Sequence, residues 1–347
     1  MMSNVTTKVL STQSKAEFDR AVEAAAACLR EGEVIGIPSE TVYGLAGNAF
    51  SAEAVQTIFA VKGRPATNPL IVHVADWAMV EQCSRVWDDA AAKLAKAFWP
   101  GPLTLVVERS SRIPPEVTAG GETVALRWPS HPLMQAVIKA AGFPLAAPSA
   151  NRSNALSPTQ AQHVLGQLDG MIPLVIDGGH SAVGIESTVV DLVSRPARIL
   201  RPGMVQREAL VKACDFLSWE TPGLNEAGLG AEGVHRSPGH MKLHYSPKAR
   251  LQIASWSNES ALEGIVNRSK VPKAAVSVIS YGRIPEGSGF ARVSVIPDDA
   301  EAYARALFSE LHLCDESGSA LIIVEAPPES SDWEGVWDRL QRAATED

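Results

Sequence analysis

Lys62 and Arg64 stand two residues apart in the stretch KGRPATNPLIVHV, with Gly63 between them and prolines at 65 and 69. An ammonium and a guanidinium on one stiffened turn suit an anion with several oxygens, because one is a point charge and the other a planar fork. A cation closing a helix would account for Lys62 alone, at ~0.3–1 kcal/mol. Arg64 lies beyond Gly63 and gains nothing from that dipole. The Arg64–Pro65 bond biases Arg64 toward extended backbone, and Asn68 can bond locally. On this stretch alone, an anion site and a solvated helix end remain equal alternatives.

Other segments add polar groups of the same kind. PSETVYGLAGNAF follows a strand and clusters Ser39, Glu40, Thr41 and Tyr43, with Gly44 and Gly47 permitting close backbone approach. Its plain reading is a turn that caps the next helix. APSANRSNALSPT sets serines at 149, 153 and 157 and asparagines at 151 and 154 between a strand and a helix. Such a loop offers neutral donors and backbone N–H groups to phosphate oxygens, or else it is a Ser/Asn turn with Thr159 as N-cap. No GxxxxGK[ST] occurs, so it is not a P-loop. Arg127 and Arg201 each close a strand, and Ser187 and Thr188 open one. Two arginines at strand ends can clamp phosphate or carboxylate, although a single surface ion pair is worth little. His73 lies in an apolar strand, where a satisfied core histidine is the ordinary case. His244 and Tyr245 occupy a Gly/Pro-rich stretch, as a planar-ligand contact or as an anchor for that stretch.

The elements that must position these groups alternate. Ser14-Lys15-Ala16-Glu17 forms a capping box, apolar spacing runs to Leu29, and Gly32 stops the helix. Helices are also predicted after Ser51 and over DDAAAKLAKAF, PLMQAVIKAA, TQAQHVLGQL and REALVKA. Strands are predicted at EVIGIP, LIVHV, LTLVVE, TVALR, PLAA, PLVID, STVVDL and ARILR. Alternation of this kind predicts an α/β fold, and the short turns between some strands predict a mixed, twisted sheet with flanking helices. Residues 217–247 lose periodicity and read as a linker. Beyond them RLQIAS, KAAVSVIS and SALIIVEAP alternate with helices as a small Rossmann-like α/β domain with a parallel sheet. The expected domains are therefore 1–216, a 217–247 linker or lid, and 248–347.

Composition narrows the class. The 347 residues carry a net charge of −8. Residues 1–215 hold 19 Lys and Arg against 20 Asp and Glu, and residues 216–347 hold 12 against 19. Nucleic-acid binding needs uncompensated cations, so the cations of the first part serve a local purpose. No run reaches the ~18 apolar residues of a membrane span, and the N-terminus lacks a signal-peptide core. A cytoplasmic location is expected. Cys28, Cys83, Cys214 and Cys314 form no CxxC pair, which predicts reduced thiols and no metal site.

In their order, PSETVYGL, KGRPATNPL, WPGPLTLV, VALRWPSHP, APSANRSNALSPT, DGGHSAVGIESTVVD, ILRPGM and SPGHMKLHYSP resemble the YrdC-like threonylcarbamoyl-adenylate synthases, in the long form with a C-terminal domain. The motifs span Pro38 to Pro247; the remainder matches by position and general pattern. The resemblance implies an N-terminal YrdC-like domain. It also implies a nucleotidyltransferase in which threonine's amine captures bicarbonate or CO2. The carbamate then attacks the α-phosphate of ATP and pyrophosphate leaves. Downstream, a tRNA threonylcarbamoyl-transferase machinery consumes the product, and a weak tRNA contact is implied.

By the same resemblance Thr41, His73, Arg127, Ala147 and Ser187 fall at the threonine site. Arg64, Asn68, Thr123, Ser149, Asn151, Ser157, Arg201 and Tyr245 fall at the ATP site, and Lys62, Arg64 and Arg201 carry the catalytic charge. Mg²⁺ is implied on the ATP phosphates, held through substrate oxygens and not by a protein cage. The chain departs from the family's usual residues at Ser39, at Leu45-Ala46-Gly47-Asn48, at Asn154, which tolerates left-handed backbone, and at His240. Tyr245 and the linker are predicted to order over ATP as a lid. Two alternatives come from other classes: an RNA-binding module, marked by a steep salt dependence, and a nucleotide sensor that binds ATP without turnover.

Overall fold

The computed structural model describes residues 5–220, 245–286 and 288–345. They fall in two compact units, one from Met1–Ser153 and Pro158–His240, the other from Asn154–Ser157 and Met241–Asp347. Residues 221–244, with His240 and His244, lie outside the described residues, so most of the expected linker and lid does too.

The first unit begins with strand β1 (Lys8–Ser11) and helix α1 (Lys15–Arg30). The capping box is made in full: Ser14 accepts the Glu17 N–H, and Glu17 Oε2 accepts the Ser14 N–H at 2.8 Å. Strands β2 (Ile35–Ile37) and β3 (Gly44–Asn48) lead to helix α2 (Ala52–Lys62). Gly63 ends α2 at φ 62°, a left-handed conformation that favours glycine. Strand β4 (Ile71–His73) precedes helices α3 (Trp77–Cys83) and α4 (Asp89–Phe98). Then come β5 (Leu103–Glu108), β6 (Thr123–Arg127), α5 (Pro132–Ala141) and β7 (Leu145–Ala146). The unit closes with α6 (Ala161–Leu168), β8 (Leu174–Asp177), β9 (Thr188–Asp191), β10 (Arg198–Arg201) and α7 (Arg207–Ala213).

These strands form one ten-stranded mixed sheet in the order β1-β8-β2-β3-β7-β4-β6-β5-β9-β10. Its two faces differ. Alternation sends Val72, Leu103, Leu105, Val124, Leu126 and Val190 into the main core with the helices. On the other face Ile71, Val106, Ala125, Val189 and Leu200 form a separate small apolar cluster. Their period-2 neighbours on that second face are polar: His73 on β4, Thr123 and Arg127 on β6, and Thr104 on β5.

The second unit contains β11 (Arg250–Ala254), α8 (Glu259–Ser269), β12 (Val276–Ser280), β13 (Arg292–Val295), α9 (Ala300–Glu316), β14 (Leu321–Glu325) and α10 (Glu334–Ala343). Its sheet runs β11-β14-β12-β13 with every pair parallel, as expected of a Rossmann-like domain.

Four elements were not anticipated: β1, β3, α3 and β13. Strand β3 is GLAGN, a poor strand by propensity. It forms because β2 and β7 flank it, and Gly47 lets helix α2 pack closely on it: a Cβ there would stand 3.2 Å from Ile58 and Val34 side-chain atoms. The N-cap of α6 is Gln160, one residue past the expected Thr159, which bonds the His163 ring instead. The cysteines are free, and among the described residues no helix is long and apolar enough to cross a membrane.

Candidate active site

Lys62 ends α2 and is buried. Its Nζ donates to the carbonyl oxygens of Ser149 and Asn151, both at 2.5 Å, and approaches Asn151 Oδ1 at 3.4 Å. Burial and the Arg64 charge hold its pKa well below that of an ordinary lysine, opposed by Glu186. Its Nζ donors tie α2 to the polar loop that follows β7. Across the same junction the Ser153 N–H donates to the Lys62 carbonyl at 2.9 Å.

Arg64 folds its fork back over its own turn. Nε donates to the Asn68 carbonyl at 3.2 Å and Nη2 to the Pro69 carbonyl at 2.9 Å, which fixes the turn that the two prolines stiffen. Ser149 stays beside the start of β3 through a bridge to Gly44, where a Cβ would meet that of Ala147 at 3.2 Å. Close approach there needs glycine.

The strand ends bring in the remaining groups. Arg201 donates from Nε to the Ser187 carbonyl at 3.1 Å and from Nη2 to Ser187 Oγ at 3.2 Å. Ser187 Oγ lies 2.7 Å from Thr104 Oγ1. A bulge between Ile199 and Arg201 aims this arginine, and Gly203 follows where a Cβ would fall 2.6 Å from the Thr188 nitrogen. Glu186, beside Ser187, acts on the Lys62 charge through space.

Arg127 is held on three sides: Nη1 donates to Thr41 Oγ1 at 2.8 Å, Nε donates to the Gly101 carbonyl at 3.2 Å, and Nη2 lies 2.8 Å from Glu40 Oε1. The Glu40 contact is a close, buried ion pair. His73 faces Arg127 in register on the neighbouring strand. Burial and the Arg127 charge push its pKa down to about 3, against the pull of Glu40, so the ring is neutral at physiological pH. Its Nδ1 is buried with no partner, as is Glu40 Oε2. Burial works to raise the Glu40 pKa. Arg127 and the Ser130 N–H outweigh it and hold the carboxyl at about 2. Two buried polar atoms, His73 Nδ1 and Glu40 Oε2, thus lack hydrogen bonds on residues that both feel the Arg127 charge. Leaving such atoms unsatisfied costs ~1–3 kcal/mol each, which a polar ligand offsets.

The first unit contains Thr41, Lys62, Arg64, Asn68, His73, Thr123, Arg127, Ala147, Ser149, Asn151, Ser187 and Arg201, and direct contacts join Lys62 to Ser149 and Asn151, Arg64 to Asn68, Arg127 to Thr41 and Arg201 to Ser187. Thr123 sits at the far end of β6, on the Arg127 face. Ser157 and Tyr245 belong to the second unit. There the His312 ring contacts the Ser157 carbonyl at 3.1 Å, and the Ser246 N–H donates to the Asn154 carbonyl at 2.9 Å. Asn154 has φ 68°, the left-handed geometry its type allows. Tyr245 is buried, with the Phe308 ring at 5.8 Å and the Arg339 guanidinium 5.7 Å from its ring centre.

Sequence reasoning left Glu40 and Thr104 unassigned. Glu40 had a signal: it is the lone charged residue from Val34 to Phe50. Among the described residues no group of His, Cys, Asp or Glu could hold a metal ion.

Comparison with known proteins agrees along the chain. A family model described as "Telomere recombination" matches residues 27–203, and a model for the threonylcarbamoyl-AMP synthase C-terminal domain matches 205–345. The threonylcarbamoyl-AMP synthase of Pyrococcus abyssi is 36% identical over 93% of this chain and 94% of its own. That of Bacillus subtilis is 37% identical over 94% and 93%. The crystal structure of P. abyssi Sua5 complexed with L-threonine superposes with a TM-score of 0.87 at 35% identity, covering 97% of each chain. With its two halves matched in order, the chain belongs to the threonylcarbamoyl-AMP synthase family, in the long form.

Proposed function

We infer that this protein is an ATP-dependent L-threonylcarbamoyladenylate synthase. Near-full-length similarity to a protein whose structure holds L-threonine carries this reading. In the reaction, threonine's amine and bicarbonate or CO2 form a carbamate. A carbamate oxygen bonds to the α-phosphorus of ATP, and the bond to the leaving pyrophosphate breaks. Nucleotidyl transfer needs positioning and charge neutralisation more than a protein nucleophile. Threonine binds among Thr41, His73, Arg127, Ala147 and Ser187. The nucleotide is bound by Arg64, Asn68, Thr123, Ser149, Asn151, Ser157, Arg201 and Tyr245, and enters as its Mg²⁺ complex. Lys62, Arg64 and Arg201 neutralise phosphate charge, and Lys62 also holds the Ser149–Asn151 loop.

Residues 1–216 are assigned catalysis. The product is consumed by a tRNA-modifying transferase in the cytoplasm. The balanced charge of residues 1–215 weighs against an RNA-binding module.

The test is incubation with L-threonine, bicarbonate and labelled ATP. Threonine-dependent pyrophosphate and an adenylate of threonylcarbamate mass are expected. Pyrophosphate independent of threonine, or ATP binding without turnover, overturns the assignment.

A further inference from the structure

We propose that Glu40 is a specificity-determining residue of the threonine site: it orients Arg127 through one carboxylate oxygen and accepts a hydrogen bond from the bound amino acid on the other. This rests on the threonine reading above.

The turn after β2 places Glu40 deliberately. Its carbonyl accepts the Val183 N–H at 2.7 Å, and Ser181 Oγ donates to the neighbouring Ser39 carbonyl at 3.0 Å, so the backbone is pinned from one side. Glu40 is 5% exposed. Oε1 is engaged by the Ser130 N–H at 3.0 Å and by the Arg127 charge at 2.8 Å. Oε2 is buried and has no partner. A carboxylate meant only to brace Arg127 gains nothing from a desolvated second oxygen, which is costly unless something donates to it. Two imidazoles that feel the Glu40 charge, His73 and His131, also have a buried Nδ1 without a hydrogen bond.

An α-amino acid brings a carboxylate for the guanidinium and two donor groups, its amine and, in threonine, its side-chain hydroxyl. Oε2 accepts from one of these. Reading a donor with a buried acceptor rejects analogues that lack it far better than an apolar wall could, because the acceptor is then left unpaired.

The conservative variant has a forced geometry. In Glu40→Gln the amide oxygen must stay toward Ser130 N–H and Arg127, both donors. The amide NH2 then falls at the Oε2 position and faces the substrate's donor. The contact inverts while the shape and the Arg127 partner remain.

Calorimetry on the full chain would compare L-threonine, L-2-aminobutyrate (no hydroxyl) and 3-hydroxybutyrate (no donor at the α-carbon). Wild type should bind threonine at least ten-fold tighter than the analogue missing the donor that Oε2 reads. E40Q should lose ten-fold or more in threonine affinity and most of that preference, with ATP affinity within two-fold of wild type. Glu40→Asp, which keeps the charge but retracts it, should fall between. Wild-type threonine binding matched by E40Q, with the same preference, overturns the proposal and leaves the synthase reading standing. Should E40Q fail to fold, wild type decides: threonine bound no tighter than either analogue overturns it. A wild-type chain that does not bind threonine at all overturns the synthase reading first.

Discussion

Two buried carboxylates, one in each unit, are put to opposite uses. Glu325 ends β14 and is 3% exposed; its Oε2 accepts the N–H groups of Tyr281, Gly282 and Arg283 at 2.9, 3.0 and 3.0 Å. It closes a backbone turn. Glu40 is almost as buried, yet only one of its oxygens is occupied, and its main partner is a guanidinium that has N–H groups to spare. A buried charge satisfied by fixed backbone donors stabilises a turn. One balanced against a side chain, with an oxygen left over, remains able to respond to a ligand.

The largest test of this contrast is Arg127→Met. It leaves the Glu40 charge buried and unpaired, at a cost of about 3–5 kcal/mol. Threonine-dependent pyrophosphate release should fall by more than 100-fold, and the melting temperature should drop. Full activity in that variant would remove Arg127 from the site. Acid should sharpen the same point. The Glu40 carboxyl, normally near 4.5, is held at about 2. Its stabilisation is therefore complete above pH 4.5 and lost as pH falls toward 2. It amounts to on the order of 3 kcal/mol. Denaturant unfolding of wild type and E40Q between pH 7 and pH 2 should show their stabilities converging as pH falls; parallel curves would refute it.

Glu325→Gln tests the other half. A neutral amide oxygen holds three N–H groups less strongly, so stability should fall by about 1–3 kcal/mol with threonine affinity unchanged. A changed threonine affinity would erase the distinction between the two carboxylates. Ser14→Ala is the smallest: loss of the α1 cap should cost about 1 kcal/mol and leave turnover intact.

Much of the fold was legible in local chemistry. The capping box at Ser14, the left-handed stop at Gly63 and the β-branched runs of β5 and β9 act within a few residues, so their types foretell their structure. Strand β3 was not legible, since GLAGN forms only where β2 and β7 flank it. The apolar strands announced burial but not that their alternate residues serve two faces, one of which carries the site.

The candidate site divides the same way. Residue types alone determined that Lys62, Arg64, Arg127 and Arg201 stand at turns and strand ends, where backbone geometry can present charge. Tertiary structure decided what each one holds: Lys62 the Ser149–Asn151 loop, Arg201 the Ser187 strand end, Arg127 the Glu40 turn. The Ser130 N–H reaches Glu40 across a separation of 90 residues, and Glu40 Oε2 is buried by chain distant in sequence without a protein donor. Burial and unmet hydrogen bonds belong to the packed molecule, and no local sequence pattern encodes them.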